Sequence, residues 1–235
     1  MFELQIPLDI RPHCLPSQNL SIKSFLAFSL PLLGHTSTYA NFYISDQPSN
    51  VSTKAVQDML LRPVPPPSLV RDLTDCIMSS PPPIPKSIAV MIKSSEVRYP
   101  LWLTIYWQEI NRILEIKRQW SKADHFLQTL RNGGTPITEL VDTVYNTLSN
   151  VPWSAKIGGF CEDEPTVSLS HYATTEWLKT THENQMLELL SHDIIRHSST
   201  PTEITIQSTY FAQSLFKVFE DRSERSHDHW IHKLG

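Results

Sequence analysis

A chain of 235 residues, 40% hydrophobic and 19% charged, has the length to bury a sizeable core and the composition of a folded protein rather than a disordered one. Its net charge of −4 offers no basic face for phosphate, so nucleic acid is not an expected partner. Three cysteines, Cys14, Cys76 and Cys161, are too few and too far apart for a disulfide framework or a Cys-x-x-Cys metal site, which makes a reducing, intracellular compartment (nuclear or cytoplasmic) the default.

No apolar run reaches the ~20 residues that span a bilayer, so no membrane partner is expected. The run from Phe25 to Leu33 contains Pro31, starts late and has only Arg11 and Lys23 before it. Together with Thr38-Tyr39-Ala40 it makes a poor signal peptide.

Residues 1–95 carry most of the 18 prolines, including Pro63-x-Pro65-Pro66-Pro67 and Pro81-Pro82-Pro83-x-Pro85. Such runs favour extended polyproline II and break helices, so this region is expected to be only partly ordered. Two short helices fit between them. Ser52 to Leu61 would be capped by Ser52, with Val56, Met59 and Leu60 facing one way; Ser68 to Met78 would be capped by Ser68, with Leu69, Leu73 and Ile77 together. The prolines either space these helices on a core or serve a partner with an aromatic groove; spacing is preferred, because PxxP-like patterns are compositional.

Residues 96–150 read as an αα-hairpin. Pro100 suits the first turn of a helix. Leu103, Trp107, Ile110 and Leu114 follow at three- and four-residue spacing, widened by Tyr106, Ile113 and Trp120, and the helix can run to Arg131 unless Ser121 to Asp124 interrupts it. Lys117, Arg118 and Lys122 read as its wet side. Asn132-Gly133-Gly134 supplies left-handed residues to end it. Thr135 caps a second helix with Pro136 at its first position, whose stripe is Ile137, Leu140, Val141, Val144, Tyr145 and Leu148. So short a loop makes the two helices antiparallel.

Residues 151–235 begin with a connector containing Pro152, Gly158-Gly159 and Pro165. Cys161 is followed by Glu162, Asp163 and Glu164, and carboxylates there would raise a thiol pKa, so Cys161 with His171 is not expected to be a catalytic pair. Thr180 and Glu183 form a capping box for a helix whose apolar face is Leu178, Met186, Leu190 and Ile194, with Leu187 alongside. Trp177 stands just ahead of that cap. Thr202 to Gln207 alternates as a short strand, and Ser208 or Thr209 caps a further helix with Phe211, Leu215, Val218 and Phe219 on one side. In the polar tail, His227, His229 and His232 have no further ligand within reach, so no metal site and no cofactor are expected.

The residues Trp177, Leu178, Asn184, Leu189 and Leu190, with a capping residue between, resemble the opening of the ubiquitin-like protease (Ulp-type, SUMO-deconjugating) cysteine peptidase domain. The similarity is to divergent copies in basidiomycete fungal genomes, often linked to transposable elements. Two positions depart from the family pattern: Thr180 stands where Asp is usual, and Glu183 where an aliphatic residue is usual. The resemblance implies an α+β, papain-like domain of which this chain would be an N-terminal fragment, mainly helical with one or two short strands. It also implies a SUMO-type ubiquitin-like partner, whose Gly-Gly tail Trp177 would cover. The family's catalytic Cys, His, Asp and oxyanion-hole Gln lie further on, and His229-Trp230 ends no hydrophobic strand, so no catalytic residue is expected in this chain and no peptidase activity. The alternative is a non-enzymatic helical interaction module.

Overall fold

The computed structural model describes residues 5–79, 85–133, 137–160, 163–197, 206–211 and 217. The chain divides into two compact units, Met1–Ala155 and Lys156–Gly235. The boundary expected after residue 95 falls inside a β-hairpin, so the proline-rich region and the αα-hairpin belong to one unit.

The first unit opens with helices α1 (Arg11–Cys14), α2 (Ile22–Ala27) and α3 (Thr36–Tyr39) and strand β1 (Phe42–Ser45). Helices α4 (Thr53–Leu60) and α5 (Pro67–Ser79), strands β2 (Ser87–Ile92) and β3 (Ser95–Pro100), and helices α6 (Trp102–Asn132) and α7 (Thr138–Leu148) complete it. Ser52 caps α4 by accepting the Ala55 N–H at 3.3 Å, and Val56, Met59 and Leu60 are buried as the spacing predicts. Helix α5 starts ahead of the expected Ser68 cap. Pro67 occupies its first position, where no N–H is needed, and Val70 with Leu73 forms its buried face.

The three-stranded antiparallel sheet, in order β1-β2-β3, is the element that periodicity did not reveal. Its central strand buries Ile88, Ala89 and Val90, a short apolar run without alternation. Lys93 and Ser94, with φ of 47° and 67°, turn β2 into β3 in the left-handed conformation that a two-residue type I′ hairpin requires. Asn50 closes the outer edge of β3: its Oδ1 accepts the Arg98 N–H at 2.8 Å, and its Nδ2 donates to the Glu96 carbonyl at 3.0 Å. A paired edge no longer templates aggregation.

Helix α6 runs 31 residues without interruption, because Trp120, Ala123 and Leu127 keep the buried face continuous past Ser121. Pro100 ends β3 rather than starting this helix. Around it the core closes: Trp107 meets Tyr39 and Phe42 edge-on at 6.0 and 5.9 Å, and the Tyr106 hydroxyl donates to the Leu60 carbonyl at 3.0 Å. Gly133 is right-handed (φ −72°), contrary to the expected left-handed stop, and Gly134, Thr135 and Pro136 lie outside the described residues. Arg131 pairs with Asp142 at 3.0 Å, and the Tyr145 hydroxyl donates to Asp124 at 3.0 Å. Partners that descend along α7 as they ascend along α6 make the helices antiparallel. Only Val141 and Leu148 of the α7 stripe are buried, and Leu140 is largely exposed.

Residues read as a connector pin the start of the chain. Trp153 stacks on Phe25 with centroids 4.4 Å apart and 7° between planes, and its Nε1–H donates to the Ser17 carbonyl at 2.9 Å. The Ile22 N–H reaches the Val151 carbonyl at 2.9 Å, which ties α2 to the end of the unit.

The second unit contains a two-stranded antiparallel pair, β4 (Lys156–Ile157) and β5 (Glu164–Pro165), a 3-10 helix over Thr166–Ala173, helix α8 (Thr180–His197) and a helical turn at 209–211. Of the expected strand, residues 202–205 lie outside the described residues, while Ile206 and Gln207 are in no strand. Leu215, Val218 and Phe219 also lie outside them. The described residues are thus mixed, mainly helical with a small antiparallel sheet.

Candidate functional site

Helix α8 begins one residue earlier than the predicted box requires. Thr180 is its first residue, so Lys179 is the cap, and the third helical position is held by His182 instead of Glu183. His182 Nδ1 accepts the Lys179 N–H at 3.1 Å, and Nε2 lies 3.1 Å from the Ser168 carbonyl. A carbonyl can only accept, so Nε2 carries the hydrogen and Nδ1 the lone pair: one neutral tautomer satisfies both partners. The imidazole does the work that a Glu or Gln side chain does in a capping box.

Around that ring lies a compact polar cluster. His171 and Tyr172, from the 3-10 helix, have rings 5.0 and 5.2 Å from it, the second edge-on. The Tyr172 hydroxyl reaches both the His182 carbonyl and Gln185 Oε1 at 3.0 Å, and burial raises its pKa above the ordinary phenol value. His182 and Gln185 are the buried residues of α8. The expected apolar face is not the buried one: Met186 and Leu190 are each 51% exposed, as are Leu189 and Ile195 to a greater extent, while Leu178 and Ile194 are half-buried. Hydrogen bonds to residues 182 and 185 set the rotation of the helix, and the aliphatic stripe follows from it. In the sequence, the signal for this cap is a histidine three residues after Lys179, the spacing of a capping box.

Asn184, next on the helix, uses Oδ1 to accept both the N–H and the hydroxyl of Thr209 at 2.8 Å. That satisfies the first orphan donor of the turn at 209–211, where the Ser208 carbonyl accepts the Phe211 N–H at 2.9 Å. Trp177 stands two residues before the cap with 97% of its surface in solvent. Along α8 runs a cavity of about 230 Å³, walled in part by Thr181, Asn184 and Gln185.

Other sequence candidates fall elsewhere. Cys161 and the tail histidines 227, 229 and 232, with Trp230, lie outside the described residues. The Cys14 thiol is pushed up to about 11 by burial, the wrong direction for a nucleophile. Arg118 is clasped by Glu115 at 2.6 and 2.8 Å, which holds that carboxyl down to about 2, and Lys117 donates to the Phe28 carbonyl. No helix among the described residues is long and apolar enough to cross a membrane.

No protein-family model matches the chain, no curated protein matches it, and no solved structure matches it.

Proposed function

We propose that the second unit is the tail-binding part of a Ulp-like, SUMO-deconjugating cysteine peptidase domain, in which the Trp177 indole lies over the glycine tail of a ubiquitin-like protein. The observation that carries the reading is the 97% exposure of Trp177 immediately ahead of a helix start tied down by His182. An indole left in water forgoes on the order of 2–3 kcal/mol of burial, which a partner can recover. Its flat face admits a main chain only where side chains are absent, and glycine is the residue without one. In this reading α8 is the helix that a papain-like α+β domain sets beside its catalytic groups. The chain's own residues contribute binding, and the thioester chemistry of the family is assigned to none of them.

The test is a titration of the full chain with a SUMO-type protein ending in Gly-Gly, followed by a fluorophore near that terminus. Binding should be saturable and at least about tenfold weaker with Trp177→Ala, the loss that ~1.4 kcal/mol represents. An unmodified chain that does not bind, or a Trp177→Ala chain that binds equally well, would leave the helical interaction module as the better description.

A further inference from the structure

The cap that starts α8 is made by a side chain able to take up a proton near neutral pH. His182 is buried at the third helical position, with only 3% of its surface exposed, and both ring nitrogens are committed. Nδ1 accepts the Lys179 N–H at 3.1 Å, and Nε2 donates to the Ser168 carbonyl at 3.1 Å. Only a neutral imidazole can do both. A second proton turns Nδ1 into a donor facing the donor N–H of Lys179, so the cap exists while the ring is neutral and is lost when it is charged.

Two further features act in the same direction. A cation in the first turn of a helix opposes the positive end of its dipole. The His171 ring lies 5.0 Å from that of His182, so a proton on each places like charges side by side. The elements that meet here also carry Tyr172 on the 3-10 helix, Glu164 on β5, Glu176 and Lys179 ahead of α8, and Glu183, His192 and His197 along it. Glu164 accepts the Ser168 hydroxyl at 3.0 Å, on the residue whose carbonyl takes the Nε2 hydrogen. A carboxylate can offset a charge on the ring, but it does not give the Lys179 N–H its acceptor back.

We propose that His182 is an acid-sensitive latch on the start of α8: a proton taken up at Nδ1 releases the Lys179 N–H and loosens residues 174–182. Trp177 lies within the released stretch, so mild acid unfixes the exposed indole from the helix that positions it. The device rests on the geometry of the ring and not on the function given to Trp177.

The experiment follows hydrogen exchange of the full chain at about pH 7.5 and about pH 5.5, with rates corrected for the intrinsic effect of pH on exchange. Protection over residues 174–190 should fall at least about fivefold at the lower pH, the scale of a lost helix cap, while residues 103–127 of the first unit hold theirs. His182→Gln keeps an acceptor and a donor but does not titrate, so its protection should be the same at both values. His171→Gln should still respond, and His192 and His197 remain in both variants, so a response owed to them would persist in His182→Gln. In the unmodified chain, the ring-nitrogen resonances of His182 should show a lone pair on Nδ1 at the higher pH and a proton there at the lower. Protection that does not change with pH, a fall of the same size in His182→Gln, or a ring that gains its proton with the segment still protected overturns the proposal.

Discussion

The Lys179 N–H points at His182 Nδ1, 3.1 Å away, while the opposite edge of the same imidazole meets the Ser168 carbonyl. One buried ring therefore joins the 3-10 helix to the first turn of α8. Replacing it with alanine removes the cap and strands the Ser168 carbonyl, which should cost about 2 kcal/mol. Glutamine can accept with Oε1 and donate with Nε2, so His182→Gln should keep most of that stability. Hydrogen exchange read by mass spectrometry over residues 179–190 separates the two: protection should fall with His182→Ala and persist with His182→Gln.

Trp153 is the corresponding anchor in the first unit. It stacks on Phe25 and bonds the Ser17 carbonyl from the far end of the unit. Trp153→Ala should destabilise by about 3–5 kcal/mol, as large-to-small changes at buried aromatics do. Trp153→Phe keeps the stacking, loses the hydrogen bond and should cost about 1–2 kcal/mol. Denaturant midpoints for the three proteins check the order.

How far the sequence reached is best seen in α6 and in the sheet. Helix α6 was legible because Leu103, Tyr106, Trp107, Ile110 and Ile113 repeat at helical spacing, and burial follows that repeat. The sheet was not. Its central strand is covered on both faces, so Ile88, Ala89 and Val90 show no period, and its turn uses Lys93 and Ser94 where Asn-Gly would have announced a hairpin. In the second unit the residues Trp177 and Asn184 were singled out, but His182, Tyr172 and Gln185 were not. Apart from the three-residue step from Lys179 to His182, a polar cluster assembled from two helices leaves no mark in the spacing of either one.

The hairpin turn gives a prediction of opposite sign. Lys93 and Ser94 both hold positive φ, which residues with a Cβ adopt at a cost. Changing the pair to Asn-Gly relieves that cost and should raise stability by about 0.5–1 kcal/mol. A melting temperature that fails to rise would mean the turn is not the two-residue type described.

Alkaline pH should weaken the first unit in a defined window. Burial raises the Cys14 thiol from 9.0 to about 11, and burial together with the bond to Asp124 raises Tyr145 from 10.0 to about 12. Each group loses its proton in the unfolded chain first, so its contribution is complete below the ordinary value and is lost as pH climbs through the folded one. Stability should decline from pH 9 towards 12, less steeply in Tyr145→Phe. In a chain carrying Cys76→Ser and Cys161→Ser, the iodoacetamide rate at Cys14 should rise with a midpoint near 11; a midpoint near 9 would contradict the burial.

The claim on which the functional reading stands is that the Trp177 ring and a glycine tail touch. A double-mutant cycle measures this directly, pairing Trp177→Ala in the chain with Gly-Gly→Ala-Ala at the end of a SUMO-type protein. Contact requires the two changes to be non-additive, with a coupling of about 1 kcal/mol or more, because the tail change should matter only where the indole is present. Strict additivity, with the alanine tail weakening both chains equally, would show that the ring covers something else.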